Sequence, residues 1–478
     1  MNGSPGLVTK TAAPPTRVRY GVLAFACSLA AITYLDRLCI GSAAEKEYLP
    51  AALGVSGSAD LRWVFTAFSL AYAIFEVPTG WLGDVFGPRA TLIRIVIWWS
   101  FFTALTALAG VQVAGLTLVG LTTLVVIRFL FGMGEAGAFP NITRALHNWF
   151  PLTERGMAQG YVWMSGRLMG GLTPLIWAAL VVWGGLNWRF AFVLFGLTGL
   201  VWCTAFAAWF RNRPEEKEGV NPAELALIRA GTAGATEQAH ANVPWGDLLR
   251  SWNLWAICLM YFLMSYPWYF NVNYLPSYLE EMHEVSPKSG LGAFYKGGPL
   301  ILGAAGCLLG GWLTDTYIRR TGGRKWGRRV FGMLGHGICV PLYLYCLIAP
   351  SAWTFALALG LTGFFNDLAM GSAWATCQDI GRRHAAIVAG CMNTIGNLGG
   401  AVSSWVIGDL ILRSREGYLT AHGIAADGFA KLPLAEKAAA HLSGYEWNFI
   451  TFAVMYAGAV LLWLCIDATK PVFREDAA

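Results

Sequence analysis

Ile127-Arg128-Phe129-Leu130-Phe131-Gly132-Met133-Gly134-Glu135-Ala136-Gly137-Ala138-Phe139-Pro140 places a base and an acid inside an apolar run long enough to cross a bilayer. Arg128 and Glu135 are seven residues apart, so on a helix they share a face, two turns or ~10 Å apart. An ionised Arg at the bilayer centre costs roughly 2.5–3.5 kcal/mol on insertion scales. Such a residue persists where it lines a wet cavity, meets an opposite charge or carries function. A structural ion pair that pins two helices is the plainer alternative. Gly132, Gly134 and Gly137 allow a second helix or a ligand close to the backbone, and Pro140 can bend the helix near its end.

Of the 478 residues, 56% are hydrophobic and 13% charged, with a mean hydropathy of +0.50. Soluble domains carry about 25% charge, so the chain reads as an all-α polytopic membrane protein whose backbone is satisfied by helices. Short alternating segments of the kind a β-barrel needs do not stand out. The ten cysteines fall almost wholly in apolar runs without a CxxC pair or Cys/His cluster, so neither a zinc site nor a disulfide framework is expected. The amino terminus lacks a short apolar segment followed by a cleavage site, and no signal peptide is read there.

Twelve candidate spans follow: 20–41, 62–82, 90–110, 117–143, 157–183, 188–210, 252–279, 291–315, 329–349, 352–378, 384–412 and 446–467. With the amino terminus in the cytoplasm, 22 of the 34 Lys and Arg fall on the inner side and nine at outer loops or span edges. Only Arg37, Arg128 and Arg167 lie within spans, and the carboxy-terminal half is read as having no span-embedded Lys or Arg. The bias puts both termini in the cytoplasm and accounts for the net charge of +6 without nucleic acid. The organisation expected is a tail at 1–19, a six-helix bundle at 20–210, a charged linker at 211–251, a second bundle at 252–467 with an outer loop at 414–445, and a tail at 468–478.

The halves also repeat. Gly80-Trp81-Leu82-Gly83-Asp84-Val85-Phe86-Gly87-Pro88-Arg89 follows the second span. Gly311-Trp312-Leu313-Thr314-Asp315 follows the eighth, with Arg319, Arg320 and Arg324 beyond it. Both copies are expected in cytoplasmic turns, where Gly permits a tight turn and Asp attracts Arg from a neighbouring helix. A duplicated latch of this kind can hold two bundles closed on the inner side.

Twelve spans, six plus six, with this loop resemble the major facilitator superfamily. Within it, Tyr34-Leu35-Asp36-Arg37, the stretch from Arg128 to Pro140, and Asn148-Trp149-Phe150-Pro151 with Glu154-Arg155-Gly156 are similar to the anion/cation symporter family. That family includes bacterial galactonate, hexuronate and glucarate permeases and the vesicular glutamate transporters and sialin. The resemblance implies two six-helix bundles around a cavity that opens alternately to each side, with substrate near the midplane. Three positions depart from it: Val85 stands where a base is usual, Glu76 where Gln is expected, and Arg167 where a neutral polar residue is expected.

Asp36 and Arg37, being adjacent, point about 100° apart on a helix. Arg37 is assigned to the substrate carboxylate, because a guanidinium matches a carboxylate bidentately. Asp36 and Glu135 are assigned as proton carriers, a role the resemblance supports, since a poorly solvated carboxylate has a raised pKa. Arg128 either modulates Glu135 electrostatically or pairs with it. Tyr34 and Tyr72 are hydrogen-bonding candidates, and Arg167 is a further substrate-side base. Glu76 is either a third proton site or the charge partner of Arg167, and the pair is preferred. In the carboxy-terminal half the polar candidates are Tyr269, Asn271, Asn273, Asn366, Asp367, Ser372, Thr376 and Asn397, with Trp374 and Asn393 singled out by resemblance. Gly80, Asp84, Gly87, Arg89, Gly311 and Asp315 form the candidate cytoplasmic gate.

The function expected is secondary active transport: proton-coupled symport of a small organic anion, a sugar acid first, by a monomer in a bacterial inner membrane. Another carboxylate, sodium coupling, organophosphate exchange or a non-transporting sensor are the alternatives. A membrane enzyme is disfavoured because the seven His are scattered without ligand spacing. No cofactor or metal is expected, the proton gradient being the energy source.

Overall fold

A backbone passing through lipid has to bond to itself, and this sequence does so almost wholly as helices. The computed structural model describes residues 14–229, 244–286, 289–381 and 385–473. Its helices are α1 Val18–Ala43, α2 Leu49–Leu53, α3 Arg62–Phe86, α4 Pro88–Leu105, α5 Leu121–Glu135, α6 Ala138–Trp149, α7 Leu152–Trp177, α8 Trp188–Trp209, α9 Pro222–Arg229, α10 Trp245–Arg250, α11 Trp252–Asn273, α12 Leu275–His283, α13 Gly290–Thr321, α14 Arg324–Cys346, α15 Ala352–Gly381, α16 Ala385–Ala421 and α17 Leu434–Cys465. By length and composition, eight helical segments among the described residues can cross a membrane. The long helices α3, α11, α14 and α15 fall outside those eight.

Packing follows the internal repeat. Before the linker, α1 packs on α7, α3 on α5 and α4 on α8. After it, α11 packs on α16, α13 on α15 and α14 on α17, the same three pairings in the same order. The halves meet along two reciprocal seams, α3 on α16 and α7 on α13. At the second seam Gly171 and Gly297 lie against each other's backbone, where any side chain would collide.

Two expectations need correction. The stretch 414–445 is mostly helix: α16 runs to Ala421, α17 starts at Leu434, and a 3-10 turn spans Ala426–Lys431 between them. Lys296 sits in α13, buried and ion-paired at 2.6 Å with Glu45, so the second half does hold a span-embedded base. A small hairpin, Gln112–Val113 with Leu116–Thr117, joins α4 to α5. Its turn residues Ala114 and Gly115 both have positive φ, as a tight two-residue hairpin requires.

The linker helix α9 docks on the start of α1. Buried Glu224 accepts from the Thr16 hydroxyl at 2.5 Å and from Arg19 Nη1 at 3.1 Å, while Arg19 Nε reaches Glu154 at 3.0 Å.

Candidate functional site: a charged cavity on the seam

The opening stretch is not one helix. Pro140 has no N–H and its ring opposes the carbonyl four residues back, which is that of Ala136. The chain accordingly breaks between Glu135, the last residue of α5, and Ala138, the first of α6. The Asn141 side chain bonds the Gly137 carbonyl at 2.7 Å and steadies the break. Gly132 lets α5 lie directly on the Phe68 carbonyl of α3. Glu135 is thereby held, fully buried, facing α1.

Its partner is Arg37. Arg37 Nε donates to Glu135 Oε1 at 2.8 Å, and Nη2 donates to the same oxygen. Oε2 of Glu135 is left buried without a hydrogen-bond partner among the described residues. The guanidinium carbon lies 4.9 Å from the centre of the Tyr72 ring and 5.3 Å from that of Tyr34, within cation–π range. Of the two roles open to Arg128, pairing with Glu135 is not the one seen here: Arg128 lies over the Phe131 and Phe68 rings at 4.4 and 5.1 Å, and its Nε has no hydrogen-bond partner among the described residues. Arg128 stays close enough to act electrostatically on both Glu135 and Asp36. Asp36 points away from Arg37. It is 1% exposed, both its carboxylate oxygens lack a hydrogen-bond partner among the described residues, and the Trp99 indole is its neighbour.

At the cavity, two side-chain links cross between the halves. Arg167 of α7 grips Asp367 of α15 bidentately, Nε to Oδ2 at 2.9 Å and Nη2 to Oδ1 at 3.0 Å. Asn366 donates to Asp367 Oδ1 at 3.0 Å, and Tyr456 holds Asn366 at 2.9 Å. Glu76 of α3 accepts from the Asn393 side chain of α16. The expected Glu76–Arg167 pair is therefore wrong: each of the two residues takes its partner from the opposite half. Asn397 donates to the Asn393 carbonyl at 3.0 Å and accepts from the Tyr269 hydroxyl at 2.8 Å.

These groups surround a cavity of about 60 Å³. A water needs roughly 10–15 Å³, so the space holds a handful of waters or a small polar solute. Tyr34, Arg37, Tyr72, Arg167, Asn366, Asn393, Asn397 and Tyr269 line it. Glu135, Asp36, Arg128, Glu76 and Asp367 stand behind that lining. Trp374 also stands back: its indole donates to Met370 Sδ at 3.2 Å and its ring packs 5.4 Å from Trp163. Asn273 and Ser372 are spent elsewhere, bonding Ser404 at 3.0 Å and Thr314 at 3.1 Å between helices. Trp163, Tyr261, Ser265 and Trp268 line the cavity and were not singled out from sequence. The last three, with Tyr269, recur every three or four residues along α11, a one-face pattern that could have found them.

The gate motif lies in helix ends rather than in turns. Gly80 to Phe86 completes α3, Gly87 alone (φ 79°) makes the corner, and α4 starts at Pro88. Arg89 bonds the Ala207 carbonyl at 2.5 Å and, through its backbone N–H, Asn212 at 3.0 Å. The Asp84 side chain lies outside the described residues. In the second copy Gly311 abuts Gly371 of α15. Asp315 reaches Arg328 at 3.5 Å, and Arg328 reaches Asp379 at 3.0 Å. The bonds described here tie helices within a half rather than one bundle to the other.

The family model described as "Major Facilitator Superfamily" matches residues 26–404. A "Probable sulfoacetate transporter" of Cupriavidus necator is 32% identical over 398 residues, covering 83% of this chain and 88% of that protein. A "Probable galactarate/D-glucarate transporter" of Bacillus subtilis is 27% identical over 415 residues, covering 83% and 86%. Among solved structures, a bacterial homolog of the human lysosomal transporter Spinster, inward-facing and unoccupied, superposes with a TM-score of 0.71 at 18% identity over 94% of this chain and 97% of that one. The repeated helix pairings, the seam cavity and these matches together establish that the chain belongs to the major facilitator superfamily of membrane transporters.

Proposed function

We propose that the chain carries a small organic anion together with protons, by alternating access, and that the anion is a sugar acid: a hexonate, a hexuronate or glucarate. In this reading α5 and α6 count as one span and α1, α3, α4, α7, α8, α11 and α13 to α17 are the others, twelve in all. Both termini face the cytoplasm of a bacterial cell, and a monomer suffices. The observation that carries the proposal is Arg37, a cavity-lining base whose hydrogen bonds go to a fully buried acid, Glu135.

An entering carboxylate competes with Glu135 for that guanidinium. Protonation of Glu135 neutralises it and frees Arg37, so proton and anion load together. On the other side Glu135 loses its proton, recaptures Arg37 and expels the anion. Oε2, buried without a partner among the described residues, is the oxygen that takes the proton. Asp36, off the cavity and beside Arg128, is the second proton carrier. Tyr34, Tyr72 and Asn393 meet the hydroxyls of the substrate, with Trp374 supporting them from behind. No cofactor, metal or nucleic acid enters the scheme. Anion exchange is the second reading, favoured by the same competition at Arg37, since a counter-anion can replace Glu135 without a proton.

The test is uptake by reconstituted proteoliposomes under an inward proton gradient, with labelled galactonate, gluconate, glucarate, glucuronate and glutamate. Accumulation that a protonophore abolishes is expected for a sugar acid. Glu135→Gln is expected to lose accumulation while retaining exchange. Accumulation indifferent to the protonophore, or retained in Glu135→Gln, would refute proton coupling through this residue.

A further inference from the structure

We infer that the cavity selects dianions, and that Arg167 is the group that reads the second negative charge. The inference rests on the anion-transport reading above and narrows its substrate class. Arg37 and Arg167 enter the same small cavity, and their guanidinium carbons lie 5.3 and 5.9 Å from the centre of one ring, that of Tyr34. Two cationic forks flanking a single tyrosine suit a solute with an anionic group at each end. A monoanion would satisfy one of them.

Arg167 is placed for exchange rather than for permanent pairing. It belongs to one half and its carboxylate partner, Asp367, to the other. Asp367 is fixed to its own half by Asn366 and, through it, Tyr456. Rocking of one half against the other pulls this pair apart and would strand a buried charge, which is strongly unfavourable. An anionic group of the substrate can take over the guanidinium at that point. The fork keeps a donor for it: Nη1 of Arg167 is buried with no hydrogen-bond acceptor among the described residues, the Cys307 side chain being a further neighbour. Trp268, 4.8 Å beneath the guanidinium carbon, holds its plane toward the cavity wall.

The discriminating experiment uses pairs of similar size in which one terminal group is anionic or neutral, glucarate against gluconate and sulfoacetate against methylsulfonylacetate. Initial uptake rates are measured with the full chain in proteoliposomes. Wild type is expected to favour the dianion of at least one pair by roughly ten- to hundredfold, the value of one charged hydrogen-bonded contact. Because Arg167→Gln alone strands Asp367 and risks the fold, the informative variant is Arg167→Gln with Asp367→Asn. That variant keeps a neutral hydrogen-bonding link between α7 and α15, and it is expected to handle both members of a pair at equal rates. If it keeps the wild-type preference, or if wild type favours the monoanions, the inference falls and the Arg167–Asp367 pair is a structural tie. Failure of correctly folded wild type to take up any of the four, or any anion of the panel above, would instead remove the transport reading itself.

Discussion

Arg37 places two donors on one oxygen of Glu135, an arrangement that holds the base in register yet leaves the acid half satisfied. A Lys at position 37 supplies one point charge in place of a fork. Arg37→Lys is expected to weaken substrate binding by roughly ten- to hundredfold, read as the dissociation constant by calorimetry on detergent-purified protein. Unchanged affinity would remove Arg37 from the substrate site. Neutralising only one member of the pair leaves a buried charge uncompensated, worth roughly 3–5 kcal/mol. Arg37→Gln should therefore lower the unfolding midpoint, and Arg37→Gln with Glu135→Gln should restore most of it without restoring transport. Helix geometry made legible that Asp36 and Arg37 point apart, because the spacing lies within one turn. The partner of Arg167 was not legible. Asp367 is 200 positions away on another helix, and periodicity reports only neighbours on the same element.

At the scale of elements, the sequence showed where helices lie better than where they stop. Gly80 to Asp84 reads as a turn because it is rich in Gly and polar residues. The helix nevertheless runs on to Phe86 and ends only where Gly87 adopts positive φ. The same holds for Gly311 to Asp315, with the stop at Gly322 (φ 68°). In contrast, the break after Glu135 needs Pro140, and its position is set by which carbonyl the ring opposes. The seams are likewise made by small residues whose partner helix the sequence alone does not name. Gly297 touches Gly171 across the α7–α13 seam with no space for a side chain. Gly297→Leu is expected to wedge that seam and cut the initial uptake rate at least tenfold, while the protein still inserts and elutes as wild type on size exclusion. Wild-type uptake by the variant would show that this crossing is not part of the moving interface.

Over the whole molecule, two ion pairs between the halves sit at one end, where α1 finishes and α3 begins. They are Glu45 with Lys296 at 2.6 Å and Asp60 with Arg415 at 3.3 Å. The Ser277 hydroxyl adds a bond to the Ala44 carbonyl at 3.3 Å. On the topology proposed above this is the outer end, so the structure is sealed outside. The sorting of Lys and Arg could point to that topology because it is a property of whole loops. It could not report the seal, which depends on Lys296 folding onto a residue 251 positions earlier. Alternating access requires the seal to open in every cycle. Cysteines at Ala44 and Ser277, in a chain whose native cysteines have been replaced, place a thiol on each side of it. Oxidation should then lock this end shut. Uptake is expected to stop in the oxidised protein and to return on reduction, while the substrate still binds from the opposite end. The two readouts separate a locked transporter from a damaged one, since damage would abolish binding as well and would not reverse. Transport at an unchanged rate by the fully cross-linked protein would mean that the path of the anion does not pass this end. The rocking of one half on the other would then have to be abandoned.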